Sequence, residues 1–166
     1  AIGLGSLLGS IAALRQNSGT DFSVMTFAMV GISIPPFVMG PILALVFGLY
    51  LGLVPTGGLD PRYGMTPDRL ILPVITLALP QIAIIARLMR ASMIEVVRSN
   101  YIRTARAKGL PEWKVILKYP LRVALNPMVS TIGYILPALV SGSVIVSVVL
   151  SLPTLGPILL NSLFTQ

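Results

Sequence analysis

Long uncharged segments alternate with short polar ones along this chain. The apolar segments lie at 1–14, 22–53, 70–94 and 121–150. A helix needs about 20 residues to cross the ~30 Å hydrocarbon core of a bilayer, so the last three segments are long enough to span and the first is only part of a span. Prolines inside the second segment, among them Pro35 and Pro36, predict a broken or bent helix. The pattern predicts an all-α, polytopic helical bundle in a membrane, incomplete at both ends.

A polar island at 95–120 separates the third apolar segment from the fourth. Nine of the chain's 12 basic residues lie between Arg87 and Arg122, and this stretch accounts for the net charge of +7. Loops that stay in the cytoplasm carry an excess of Lys and Arg, so the island is predicted to be cytoplasmic. The turn-rich segment 55–69 has balanced charges and is predicted on the other side. Residues 151–166 are predicted to form a short surface or re-entrant helix.

Composition agrees with a membrane protein and excludes several other classes. The chain is 55% hydrophobic and 10% charged, with a mean hydropathy of +0.91, outside the soluble range. The pI near 10.4 comes from one loop, so it does not indicate nucleic-acid binding. Cysteine and histidine are absent, and the five carboxylates are scattered, so neither a metal site nor an enzyme active site is expected.

The polar island is predicted to form two short helices joined by a turn. Ser99 or Asn100 is suited to cap the first helix. Gly109 is suited to the left-handed position after its C-terminus, and Pro111 to the first position of the second helix. This second helix, from Pro111 to Lys118, is expected to lie along the membrane or against another protein.

A resemblance to a known family rests on the run YIRTARAKGL at 101–110 and the preceding ARLMRASMIE at 86–95. Both strongly resemble the inner-membrane permease subunits of bacterial ABC importers for dipeptides and oligopeptides, in particular the B-type subunit of the pair. Residues 121–127, 142–146 and 152–156 continue the resemblance. It implies a type I ABC importer permease fold, a single transmembrane domain over the whole chain, and no cofactor bound by this chain.

In that family the island would be the EAA motif, whose short coupling helix docks on a cytoplasmic ATPase. The resemblance places the motif's glycine at Gly109, its two alanines at Thr104 and Ala105, and its initial glutamate at Arg103. The predicted coupling residues are Arg103, Thr104, Ala105, Arg106, Lys108, Gly109, Leu110, Pro111, Glu112, Trp113 and Lys114.

The resemblance also implies partners and a location. They are a second permease subunit of different sequence, two cytoplasmic ATPase subunits that hold ATP and Mg, an external substrate-binding protein, and the lipid of the bacterial inner membrane. Relative to the family, the chain is expected to lack the first helix, most of the second, and the last. The implied substrate is a peptide, while related branches carry nickel, glutathione or sugars.

Two other functions fit parts of the pattern. A secondary transporter or channel also uses proline-broken spans, but it needs an ionisable residue at mid-membrane, and none is visible there. A scaffold would use the basic loop only to bind anionic lipid. For a translocation path the candidates are Gln81, Asn126 and Ser130. Arg87 and Arg90 are predicted to anchor the third span by snorkelling to the interface.

Overall fold

The computed structural model of the protein describes residues 1–56, 66–150 and Ser162. Regular structure in these ranges is helical throughout, with no strand, which confirms the predicted all-α fold. The middle of the predicted outer turn region, 57–65, lies outside the described residues, and so does the predicted terminal surface helix apart from Ser162. The helices are α1 (Ile2–Leu14), α2 (Gly19–Ser33), α3 (Pro36–Leu43), α4 (Pro67–Val97), α5 (Asn100–Ala107), α6 (Glu112–Lys118), α7 (Pro120–Ala124) and α8 (Asn126–Val149), with a π-helical segment, Ala44–Tyr50, directly after α3.

Proline positions determine where the predicted second span is interrupted. α2 ends at Ser33 and α3 begins at Pro36, and Pro35 between them is extended, with φ −59° and ψ 145°. A proline lacks an N–H and disfavours the helical region for the residue before it, so two adjacent prolines end one helix and start another. Pro41 lies inside α3 without ending it.

The predicted fourth span is divided by the structure into α7 and α8. Pro127 falls in the first turn of α8, where a helix does not need the N–H that proline lacks. The same missing N–H interrupts the hydrogen-bond ladder of α7, which therefore stops before Leu125. The segment 121–150 is two consecutive helices for this reason.

The chain forms two compact units. The first contains residues 1–32 and 81–135, and the second contains the described residues in 33–80 and 136–150. A small apolar core lies within the second unit, where α3, α4 and the end of α8 contribute the buried residues Met39, Leu43, Leu72, Val146 and Leu150.

In the first unit α1 packs very closely on α4 through two glycines spaced four residues apart. A Cβ on Gly5 would lie 2.7 Å from the Cβ of Ile85, and a Cβ on Gly9 would lie 2.7 Å from the Cβ of Met89. Real side chains do not approach this closely, so only glycine fits at either position. Small residues spaced in this way let helix backbones approach each other within membranes.

Two described helices, α4 and α8, are long and apolar enough to cross a membrane. The pair formed by α2 and the continuous segment Pro36–Tyr50 passes the same criteria only if it is counted as one broken span. α1 is apolar but shorter. The described residues thus contain two such helices, or three with the broken pair.

Candidate functional site

The polar island folds into α5 and α6 with a tight turn between them. Ser99 occupies the position before α5, with an extended backbone at φ −69° and ψ 155°. Its hydroxyl donates a hydrogen bond to the carbonyl of Val96 at 2.6 Å rather than accepting one from α5. Ser99 is therefore the N-cap residue of α5, as predicted, but its side chain does not cap the helix, because the hydroxyl is used by the preceding turn.

The turn depends on Gly109. Its φ is +74°, which confirms the predicted left-handed position, and its N–H donates to the carbonyl of Arg106 at 2.9 Å. Pro111 was predicted at the first position of α6 but lies one residue earlier, as the N-cap. There its carbonyl accepts the N–H of Lys114 at 2.9 Å, so proline starts the helix without needing a donor of its own.

A small buried core joins the two short helices. Ile102 and Ala105 of α5 pack with Val115 of α6, and Tyr119 covers the cluster. The rings of Tyr101 and Tyr119 add a tilted contact, with centroids 6.4 Å apart. Because apolar burial is the main stabilising term available to so short a segment, this core holds α5 and α6 in one fixed arrangement.

An ion pair crosses the outside of the turn. The Nη2 of Arg106 donates to Oε1 of Glu112 at 2.6 Å, and its Nε donates to Oε2 at 3.2 Å. This two-bond contact raises the pKa of the Arg106 guanidinium, chiefly through its hydrogen bonds to Glu112. Both side chains are exposed, so the pair adds orientation to the turn more than stability.

The predicted coupling residues lie mostly on the surface. Ala105 is the one buried member, and the other ten are exposed. Trp113 is 61% exposed and Leu117 is 55% exposed, although α6 buries Val115 between them. The ammonium of Lys114 lies 5.4 Å from the centre of the Trp113 ring. An exposed tryptophan is the kind of side chain that protein interfaces use as an anchor.

A shallow hollow lies beside this surface, between α5, the turn and the end of α6. Its volume is about 260 Å³, and the turn contributes the side chain of Lys108 to it. The residues that line the hollow are Tyr101, Thr104, Ala105, Lys108, Leu110 and Tyr119.

Sequence reasoning missed an ion pair within the first unit. Arg90 was predicted to snorkel toward the interface, but its Nε and Nη2 donate to the two carboxylate oxygens of Asp21, each at 2.6 Å. The Asp21 side chain is only 4% exposed. Arg87 is exposed. A lone acid after a turn and an arginine late in a span are visible in the sequence, but their pairing across 69 positions is not.

The three candidate path residues are in different environments. Gln81 is partly buried, and its amide oxygen has no hydrogen-bond partner in the described part of the chain. Asn126 and Ser130 are exposed. No hydrogen bond among the described residues joins these three side chains.

Comparison with known proteins identifies the class. Residues 5–166 match the family described as the binding-protein-dependent transport system inner membrane component, and the chain belongs to this family. The family description is that of a membrane component of a transport system, not of an enzyme. Together with α4 and α8, it makes the chain part of a multi-pass membrane protein. The resemblance drawn from 101–110 is confirmed, and a secondary transporter is disfavoured.

Individual relatives are peptide permeases. The chain is 45% identical over 161 residues to the oligopeptide transport system permease protein OppB of Haemophilus influenzae, covering 97% of this chain and 52% of that protein. It is 44% identical to OppB of Escherichia coli K12 with the same coverage. It is 39% identical over 159 residues to the dipeptide transport system permease protein DppB of Bacillus subtilis, covering 96% and 50%. The chain spans about half the length of these relatives.

Proposed function

We propose that the chain belongs to a permease subunit of an ATP-driven importer in the bacterial inner membrane. The subunit forms half of a translocation path and couples to a cytoplasmic ATPase through the loop 95–120. One observation carries the proposal. The loop has its own buried core, yet it leaves ten of the predicted coupling residues exposed, including Trp113, which is 61% exposed.

The loop acts as a rigid connector between the ATPase and the membrane helices. The buried cluster fixes α5 against α6, Gly109 sets the turn, and the contact of Arg106 with Glu112 crosses it. A body of this kind transmits a displacement without absorbing it. Force applied to the exposed face of α6 therefore reaches α4 on one side and α7 with α8 on the other, as alternating access requires.

The proposed topology places this loop in the cytoplasm. The spans are α4 (Pro67–Val97), which contains the predicted 70–94, α8 (Asn126–Val149), which lies within the predicted 121–150, and the broken pair of α2 with the segment Pro36–Tyr50, which overlaps the predicted 22–53. α1 is part of a further span. The concentration of basic residues in the loop supports this orientation by the positive-inside rule. The turn at 55–69 then lies on the outer side.

The proposed partners and substrate follow from the relatives. Their names describe oligopeptide and dipeptide permeases, so the proposed solute is a peptide. The complete transporter would contain a second permease subunit, two ATPases that bind ATP and Mg, and an external binding protein. A permease for nickel or glutathione is the alternative within the same family. Among the path candidates, Gln81 has the best support, because its buried amide oxygen has no hydrogen-bond partner among the residues that the structure describes.

Cysteine cross-linking tests the coupling role directly, since the chain has no native cysteine. Single cysteines at Lys108, Pro111 and Lys114, introduced into the full-length permease, should cross-link to an ATPase subunit from the same cell in a nucleotide-dependent way. Thr56→Cys is the matched control, because Thr56 is also exposed but lies beside the proposed outer turn. Labelling at all loop positions without any ATPase adduct would refute the proposal.

A further inference from the structure

The turn between α1 and α2, together with Asp21 in the first turn of α2, is tied to the C-terminal end of α4 by two polar contacts. Asp21 accepts both hydrogen bonds from Arg90 at 2.6 Å. Directly after α4, Nη2 of Arg98 donates to the side-chain oxygen of Gln16 at 3.0 Å. Arg90 and Arg98 are about two helical turns, or ~12 Å, apart along the chain. The turn is therefore held at two points along the last part of α4.

The Asp21 carboxylate is built into the turn as well as into the ion pair. Its Oδ2 also accepts the backbone N–H of Asn17 at 2.9 Å, and Asn17 has a left-handed backbone with φ +61°. Asparagine tolerates this conformation better than most residues. A buried carboxylate that loses its arginine remains as an uncompensated charge, which is strongly unfavourable. Separation of the turn from α4 would leave this carboxylate unpaired, so the geometry favours a movement in which the turn and α4 stay together.

Helix packing reinforces the same connection. Gly5 and Gly9 bring α1 into backbone contact with α4, and a Cβ at Gly9 would also collide with the carbonyl of Ala86. α5, the first helix of the coupling loop, begins at Asn100, just after Arg98. The end of α4 thus has α1 packed along it, the polar turn bound to its side, and the coupling loop attached to its end.

We propose that Asp21 and Arg90 are positioning residues that make α1 and the α1–α2 turn move as one body with α4 and the coupling loop. This inference rests on the proposed function of the loop. When the ATPases displace the loop, the ion pair carries the displacement to α1. Without the pair, the connection between α4 and α1 is weaker, and less solute is moved for each ATP hydrolysed.

Neutral single variants test this role in the complete transporter reconstituted in proteoliposomes. Asp21→Asn and Arg90→Gln should each lower the solute moved per ATP hydrolysed by about tenfold, within the range typical of energetic coupling between sites. The cross-link from position 114 to the ATPase should persist. Arg87→Gln, the exposed neighbour on the same helix, should leave the ratio unchanged. An unchanged ratio in both neutral variants, or uptake and hydrolysis falling in parallel, would overturn the proposal.

A second measurement does not depend on the variants folding. Spin labels on the exposed positions Leu14 and Lys108 would report the distance between the end of α1 and the coupling loop. We expect this distance to stay constant between the nucleotide-free and ATP-trapped states of the otherwise unaltered transporter. A change of about one helical turn, ~5 Å, would refute the single-body inference. A transporter that cross-links to no ATPase would instead refute the coupling function.

Discussion

α4 precedes the basic loop at 95–120 and α8 follows it after the short α7, and the sequences of both helices predict a membrane span. Their most apolar windows have mean hydropathies of 2.0 and 2.1. In the structure, half of that window is buried in α4 but only 17% in α8. α4 is packed by α1 through Gly5 and Gly9 and is bound to Asp21 through Arg90. α8 instead exposes most of its apolar side chains.

The difference shows what hydropathy does and does not encode. Lipid tails are as apolar as leucine, so burial against lipid and burial against another helix have the same hydropathy signature. Close packing instead requires small residues at matched positions and polar groups that find partners. α4 is anchored within this chain by such features, while α8 has an open apolar face in the described part of the chain.

The largest expected effect is a loss of stability when a glycine at the contact between α1 and α4 is replaced by leucine. The same kind of replacement on α8 should be tolerated. Gly9→Leu should destabilise the permease by about 3 kcal/mol or more, since the helices are already in backbone contact. Gly133→Leu on α8 should change stability by less than about 0.5 kcal/mol, because among the described residues its added Cβ would meet nothing within 4 Å beyond the adjacent backbone of its own helix. Thermal unfolding of the purified protein measures both. Equal losses would contradict the contrast between the helices.

The second largest effect is expected on ATPase binding, which should depend on the exposed surface of the loop and not on the exposed surface of α8. Trp113→Ala should leave folding intact and weaken binding to the ATPase by about 2 kcal/mol, the scale of an interface hot spot. Tyr134→Ala removes an even more exposed aromatic ring from α8 and should not change ATPase affinity. Affinity is read from binding of the purified ATPase to permease in nanodiscs. An unaffected Trp113→Ala variant would place the docking surface elsewhere.

A smaller effect is expected from strain at the turn. Gly109→Val forces a β-branched residue into φ +74°, at a local cost of about 1–2 kcal/mol, and should reduce uptake while the protein still inserts. Gly52→Val imposes similar strain at φ +61°, also in open space, but outside the loop. Uptake normalised to the amount of permease in the membrane should therefore fall only for Gly109→Val. Equal decreases would mean that general destabilisation explains the loss.

The smallest effect should come from the exposed ion pair. Arg106→Gln should cost about 0.2–1 kcal/mol, the usual range for surface pairs, with a weaker effect at high salt. Arg103→Gln, which removes a nearby exposed arginine with no ion pair among the described residues, should cost less. A double-mutant cycle with Glu112→Gln isolates the interaction free energy. An interaction free energy of zero at low salt would show that the ion pair does not stabilise the turn.

Much of the loop could be read from local signals in the sequence. Gly109 was predicted in the left-handed position, and the structure agrees because a helix end followed by glycine has few alternatives. The burial of Val115 could not be predicted, because Trp113 and Leu117, four residues apart on the same helix, are also apolar and yet remain exposed. Which apolar side chain of a short helix is buried depends on where its partner α5 lies, and periodicity does not contain that information.

The sequence alone determined the class of protein. Long uncharged runs require a bilayer, a single basic loop predicts the orientation proposed for the spans, and the residues of that loop indicate the transporter family. Tertiary structure alone decided the pairing of Asp21 with Arg90 and the contact of Gly9 with α4. The class of protein follows from composition and local spacing, because an apolar run favours lipid whatever its neighbouring helices are. The ion pair and the glycine contact depend on which distant helices meet, because each exists only once both partners are in place.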